Sequence, residues 1–189
     1  MADPAAWGYR PSSFDPASGA LEPIPGHPDV FSLHLLGFRA EPVEVPLALE
    51  NVVLFPGDTD YRAYFDDLQS MDLLVPAFAS ETYLESKTSS SIPAGVLAGV
   101  PVLASSRHLA VYDYLRPPAA IAHPTDMTEV EAIRRLRAGE PLWSAASEAL
   151  VPTDWLAPTT QDADSWETYR SGLYAANEAA WARVAARLS

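Results

Sequence analysis

Two short apolar runs, at residues 71–76 (MDLLVP) and 102–104 (VLA), constrain the fold of this chain more than any other feature of its sequence. Each has the length and composition of a strand that is buried on both faces. A polar loop (residues 77–85), a helix-forming segment and a Gly-Val-Pro break separate them. A strand, a helix and a second strand in this order form the unit from which parallel sheets are built. We therefore predict an α/β fold in which the loop after the first strand lies at the edge where such sheets bind ligands.

The predicted helix between these strands opens on a lysine and four hydroxyl side chains: Lys87, Thr88, Ser89, Ser90 and Ser91. The first turn of a helix carries unpaired N–H groups and the positive end of the helix dipole, so this segment suits a phosphate. The alternative is that Ser89 or Ser90 only caps the helix and Lys87 lies in solvent. Neither glycine-rich phosphate motif, G-x-x-x-x-G-K-[ST] nor G-x-G-x-x-G, is present.

Further strands and helices follow from apolar periodicity and turn signals. We predict strands at residues 31–36, ending at Gly37, at residues 52–55, ending before Gly57, and at residues 119–122. We predict helices at residues 61–70, 129–138 and 165–188, and one that opens near His108. Residues 1–30 are rich in proline and have no apolar period, so we predict an irregular arm, with Trp7, Tyr9 and Phe14 as possible anchors.

The composition limits which partners the chain can bind, and it says less about which reaction the chain could catalyse. The 189 residues carry a formal charge of −13, which disfavours nucleic acid as a partner. There is no cysteine, hence no disulfide and no thiolate metal site. The apolar runs are too short to span a bilayer, and residues 1–13 lack the features of a signal peptide. We expect a cytoplasmic protein with no membrane span and no bound cofactor or metal.

Several motifs together resemble the donor-binding half of GT-B fold glycosyltransferases, families 1 and 4 among them. The motifs are F-S-L-H-L-L-G (residues 31–37), N-V-V-L-F-P-G (51–57), M-D-L-L-V-P (71–76), the serine-rich helix start, and A-G-V-P-V-L-A-S (98–105). The resemblance runs from about residue 31 to residue 139. It implies a Rossmann-like parallel sheet flanked by helices. It also implies that the ligand is a nucleotide-sugar, with UDP as the expected nucleotide.

The resemblance also implies roles for particular residues. Glu85 is the expected catalytic carboxylate, which would meet the sugar hydroxyls, and Gly57 would border the base. The remaining donor contacts are expected at Gly37, Glu81, Lys87, Thr88, Ser89, Ser90, Ser91 and His108. In the retaining enzymes a second glutamate binds the donor ribose; here its position falls on Ala94.

The predicted domain organisation is an arm (residues 1–30), a donor-binding domain (31–140), a linker (141–164) and a C-terminal helix that packs on the domain (165–189). The family's catalytic cleft lies between two Rossmann-like domains, and only about thirty residues precede the first predicted strand. We therefore expect transfer of a hexosyl group to an unknown acceptor only if a second domain, a second subunit in trans or a homo-oligomer completes the site. The alternative, motivated by Ala94, is a non-catalytic Rossmann-like module used for protein interaction.

Overall fold

The computed structural model describes residues 3–37, 43–57, 60–78, 80–143 and 163–188. Within these ranges the chain has the predicted mixed α/β composition, with short parallel sheets, flanking helices and a C-terminal helix. The chain divides into two compact units, residues 1–64 and 65–189. Each unit is described by itself below, and the helix α1 (Tyr61–Gln69) begins in the first and continues in the second.

The first unit contains two small sheets. Strands β1 (Tyr9–Pro11) and β2 (Leu21–Pro23) pair antiparallel, and strands β3 (Leu33–His34) and β4 (Val53–Leu54) pair parallel. Three short 3-10 helices accompany them, at Ala5–Trp7, Pro16–Ser18 and Leu47–Leu49. The two strands of the parallel pair lie within the predicted first and second strands, and each is shorter than predicted.

The proline-rich arm has more regular structure than its sequence predicted. Tyr9 is buried, and its hydroxyl lies 2.7 Å from the carbonyl oxygen of Phe31 and 3.1 Å from that of Asn51. The Asn51 side chain in turn donates to the carbonyl of Leu21 at 2.7 Å. Trp7 is also buried, whereas Phe14 is 95% exposed. Two of the three aromatic residues expected as anchors therefore serve as anchors, and the expectation for Phe14 was wrong.

The second unit is built on a parallel arrangement of three segments. Strand β5 (Val102–Ser105) pairs along its whole length with β6 (Ala120–His123), and on its other side Leu74 forms a single parallel bridge with Val102. The predicted strand at residues 71–76 is thus reduced to one bridging residue, Leu74. Two backbone bonds hold it, from Leu74 N–H to Pro101 at 2.9 Å and from Leu103 N–H to Leu74 at 2.8 Å.

Beyond α1, the described residues of the second unit contain the helices α2 (Thr82–Glu85), α3 (Ser91–Ala98), α4 (Ser106–Val111), α5 (Glu129–Ala138) and α6 (Ala163–Leu188). Helix α5 has the predicted bounds because both its ends are signalled locally. The Thr128 side chain accepts from the N–H of Glu131, and Gly139, at φ 66°, ends the helix in the left-handed conformation. Helix α2 lies in a segment that was predicted as loop.

Strand β5 lies between two apolar clusters of the second unit. Val102 and Ala104 pack with Ile92 and Val96 of α3 and, with Trp166 and Tyr169 of α6, form the larger cluster. Leu103, whose side chain points the other way, packs with residues of α5 and the chain after it. Burial on both faces is what a near-continuous apolar strand in a parallel sheet requires. Trp166 and Tyr169 thus bring the first turns of the C-terminal helix into this cluster.

A close approach of α3 to the sheet depends on Gly95. A Cβ placed on Gly95 would lie 2.7 Å from Cδ2 of Leu74 and 3.4 Å from the carbonyl oxygen of Val100. The helix therefore lies close to the bridging residue, and a larger residue at position 95 would require the side chain of Leu74 to shift.

The predicted linker falls largely on residues 144–162, outside the described residues, and the domain boundaries stay predictions. One continuous sheet, as a Rossmann-like domain has, is not seen within the described ranges, where the strands form three two-stranded sheets. Among the same residues, no helix combines the length and the apolar character that crossing a membrane requires.

Candidate functional site

A pocket opens in the second unit at the carboxyl ends of its three parallel segments. Its volume is about 360 Å³. Val75 to Phe78 follow the bridging residue Leu74, His108 follows β5, and Glu129 follows β6. The other lining residues, Ser80, Glu81 and Leu84, belong to the chain between Leu74 and α3. Each parallel segment therefore delivers a residue to the pocket, which is where open α/β sheets bind their ligands. We name it the His108 pocket.

His108 is the buried polar side chain of this pocket, with 9% of its surface exposed. It is the third residue of α4 and forms a capping box with Ser105. The backbone N–H of Ser105 donates to Nδ1 of His108 at 3.2 Å, and the Ser105 hydroxyl oxygen lies 2.9 Å from the same nitrogen. A backbone N–H can only donate, so Nδ1 is the unprotonated nitrogen and the neutral ring carries its proton on Nε2.

The surroundings of His108 favour its neutral form. Burial lowers the pKa of His108, and the nearby His123 and Arg107 act in the same direction, against a smaller opposing effect of Glu129. No group among the described residues forms a hydrogen bond with Nε2. The imidazole thus lines the pocket as a hydrogen-bond donor that the protein itself leaves unused.

Two carboxylates, Glu81 and Glu129, line the same pocket. Glu81 forms an ion pair with Arg107 on α4, and the guanidinium lowers the pKa of that carboxyl. Glu129 is exposed at the first position of α5. The ion pair with Glu81 neutralises the charge of Arg107. The pocket therefore offers hydrogen-bond acceptors to a ligand and little positive charge.

An aromatic cluster links the pocket to the serine-rich segment. Phe78 lies 5.4 Å from the ring of His108, 5.2 Å from that of Tyr83 and 6.4 Å from that of Tyr112, measured between ring centroids. The Tyr112 hydroxyl donates to the carbonyl of Tyr83 at 2.9 Å and accepts from the N–H of Ser89 at 3.1 Å. The buried side chain of Tyr112 therefore fixes the backbone on both sides of Lys87.

The serine-rich segment divides its residues between two roles. Helix α3 begins at Ser91, the last residue of the predicted helix opening. Ser89 is buried, and its hydroxyl accepts from the N–H of Ser91 at 3.2 Å. Ser90 is the N-cap residue and its side chain makes no cap bond, so the hydroxyl of Ser89 satisfies the first N–H of the helix instead. Lys87, Thr88 and Ser90 are exposed, and their side chains bond to no group in the described part of the chain.

Of the other predicted site residues, Glu81 and His108 line the pocket, and Glu85 does not. Glu85 is exposed at the end of α2. Gly37 and Gly57 belong to the first unit and follow β3 and β4 at φ 143° and 84°. A Cβ on either glycine would meet no atom within 4 Å, so neither is required by close packing.

Sequence reasoning missed Phe78, Glu129 and His123. Glu129 opens the helix after a predicted strand, as His108 does, and the same rule would have found it. His123 ends β6 and is 2% exposed, with Nδ1 2.9 Å from the carbonyl of Pro124 and no hydrogen bond to Nε2. Nothing in the local sequence signals that burial.

Comparisons of the chain with protein-family models, with curated proteins and with solved structures gave no match. Within the described residues, no group of three or more histidine, aspartate or glutamate side chains is arranged to hold a metal ion.

Proposed function

We propose that the second unit binds a nucleotide-sugar, as the donor-binding half of a GT-B type glycosyltransferase with a Rossmann-like sheet. The observation that carries this proposal is the His108 pocket, which receives residues from the carboxyl ends of all three parallel segments. Ligand sites of open α/β sheets lie at this edge because the loops that follow the strands converge there.

The proposed pyrophosphate contacts are Lys87, Thr88 and Ser90. Their side chains are exposed, precede α3 and are not engaged with the described residues. The N–H groups of Ser89 and Ser91 already have partners, in Tyr112 and in Ser89 itself, so they are less available to an anion. The ammonium of Lys87 is then the principal charge that a pyrophosphate would meet.

Transfer of a hexosyl group to an acceptor is proposed only for the assembly completed by a second domain or subunit. A displacement at the anomeric carbon needs a site from which water is excluded. Glu85, exposed on α2, stays the predicted catalytic carboxylate of that completed site, and Gly37 and Gly57 stay predicted donor contacts.

Calorimetry with UDP and GDP tests the proposal. A charged hydrogen bond to phosphate contributes about 1.5–3 kcal/mol, so Lys87→Ala should weaken nucleotide binding by about 10- to 150-fold. The matched control is Arg183→Ala, which removes one exposed cation from α6 and should leave binding unchanged. Absence of heat at millimolar UDP and GDP, or equal effects of the two variants, would contradict the proposal.

A second candidate function is a non-catalytic module for protein interaction. It is favoured by α6, where Trp181 is 73% exposed and Tyr174 57% exposed beyond the buried Trp166 and Tyr169. Large aromatic side chains are enriched at protein interfaces. This candidate predicts no nucleotide binding together with association that Trp181→Ser weakens, which sedimentation velocity would measure. Nucleotide binding by a strictly monomeric chain would rule it out.

A further inference from the structure

The His108 pocket is small for a complete nucleotide-sugar. Its volume of about 360 Å³ is near the lower end of the range of about 300–1,000 Å³ for small-molecule sites. One ring of a ligand fits this space, and the rest would have to extend beyond it. The question is therefore which chemical group the lining selects.

The polar groups of the pocket specify both a donor and an acceptor on the ligand. The Nε2–H of His108 needs an oxygen that accepts, because Nδ1 is held by Ser105. The carboxylates of Glu81 and Glu129 can only accept, and Glu81 already accepts from Arg107. A hydroxyl group can both donate and accept, so a ring that carries several hydroxyls matches this lining.

Charged ligands fit the lining less well. A phosphate would face two carboxylates, with the guanidinium of Arg107 already paired to Glu81. An ammonium group offers no acceptor to the Nε2–H of His108, because it can only donate. The remaining wall is apolar, formed by Val75, Pro76, Phe78 and Leu84, and suits the C–H face of a ring.

We propose that the His108 pocket binds an uncharged polyhydroxylated ring, with His108 donating from Nε2 to a ring oxygen and Glu81 and Glu129 accepting from ring hydroxyls. This inference specifies which part of the proposed ligand the pocket binds. It rests on the proposed function only for the expectation that the ring is attached to a nucleotide. It assigns the sugar ring to the pocket and the phosphates to the exposed side chains before α3. Binding of the sugar ring is assigned to Glu81 and Glu129, which line the pocket, and the catalytic role predicted for Glu85 in the completed site is unchanged.

The test uses the full chain and methyl α-D-glucopyranoside, a ring without phosphate, followed by NMR of the histidine ring nitrogens. We expect millimolar binding and a change in the Nε2 resonance of His108, with the resonances of His34 in β3 unaffected. His108→Leu should weaken binding about three- to tenfold by removing one hydrogen bond. The matched control, His34→Gln, should leave it unchanged.

A second variant keeps the test decisive if His108→Leu does not fold. Glu129 is exposed in the first turn of α5, so Glu129→Ala should fold, and it should weaken binding about tenfold because a charged acceptor is lost.

UDP titrated alone separates the two proposals. Binding of UDP without binding of the glycoside would overturn the ring assignment and leave the proposed function standing. Binding of the glycoside without UDP would support the pocket and overturn the nucleotide-sugar function. Inorganic phosphate that displaces the glycoside from His108 would also overturn the ring assignment.

Discussion

The His108 pocket and the serine-rich segment before α3 use polar side chains in opposite ways. In the pocket, the buried His108 leaves Nε2 without a partner in the described chain, and of its two carboxylate neighbours only Glu81 is paired, with Arg107. In the segment, the buried Ser89 uses its polar atoms for the protein itself, and the unengaged side chains are exposed. The buried His108 is therefore suited to ligand recognition, whereas the buried Ser89 holds the fold. Mutations that separate stability from binding can break or sharpen this contrast.

The largest loss of stability is expected for Tyr112→Phe. The change keeps the ring and its contact with Phe78 but removes the hydroxyl between Tyr83 and Ser89. A buried donor and acceptor left unsatisfied cost about 1–3 kcal/mol, so the free energy of unfolding should fall by that amount in urea titrations. Tyr174→Phe, at an exposed position of α6, is the matched control and should change it by less than about 0.5 kcal/mol. Equal effects would mean that Tyr112 does not fix the segment.

The pH dependence of stability should report on His108. Burial lowers its pKa in the folded chain, so the unfolded chain binds the proton more readily. The free energy of unfolding therefore has its full value above the pKa of about 6.5 that His108 has in the unfolded chain. It decreases as the pH falls towards the lower pKa of the folded chain, by about 1.4 kcal/mol for each unit that separates the two pKa values. The charged groups that act on the ring are His123, Glu129 and Arg107.

Urea unfolding of the wild type and of His108→Gln at about pH 7.5 and pH 5.5 measures this effect, because other titrating groups are common to both proteins. The wild type should lose more stability than the variant between these pH values. Equal losses would show that the imidazole is not held in its neutral form, and the tautomer argument for the pocket would lose its basis.

Local signals explain which elements the sequence predicted well. Helix α5 was predicted residue for residue because Thr128 and Gly139 mark its ends. The serine run was visible, but the role of each serine was not, since the partner of Ser89 is Tyr112, 23 residues further along the chain. The same holds for Tyr9, which orders the arm through Phe31 and Asn51. Contacts between distant residues decide burial, and no local periodicity encodes them.

The candidate site was predictable to the extent that it follows the strand order. His108 was found because it begins the helix after a predicted strand, and Glu81 because it lies in the loop after another. Phe78 and His123 were missed because an aromatic residue in a loop and a histidine at a strand end are compatible with many environments. Packing decides which loop residues line the pocket, and here the contacts of Phe78 with His108 and Tyr83 do so.

A smaller loss is expected for Ser89→Ala, which tests the capping role directly. The hydroxyl that accepts from the N–H of Ser91 disappears, and loss of a helix cap costs about 1 kcal/mol. Ser90→Ala is the matched control, because the side chain of Ser90 is exposed and makes no cap bond. Thermal unfolding followed by circular dichroism compares them. A larger effect at Ser90 than at Ser89 would reverse the roles assigned to the two serines.

The smallest effect on stability is expected for Lys87→Ala, and this variant completes the comparison. Lys87 is exposed and its ammonium bonds to no group among the described residues, so the free energy of unfolding should change by less than about 0.5 kcal/mol. Only the binding of a phosphate-bearing ligand should weaken, whereas binding of methyl α-D-glucopyranoside should not, because Lys87 does not line the His108 pocket. Urea titration and calorimetry on the same preparation measure both quantities. If Lys87→Ala destabilised the fold, the lysine would belong with Ser89 among the structural residues, and the phosphate contacts would have to be sought elsewhere.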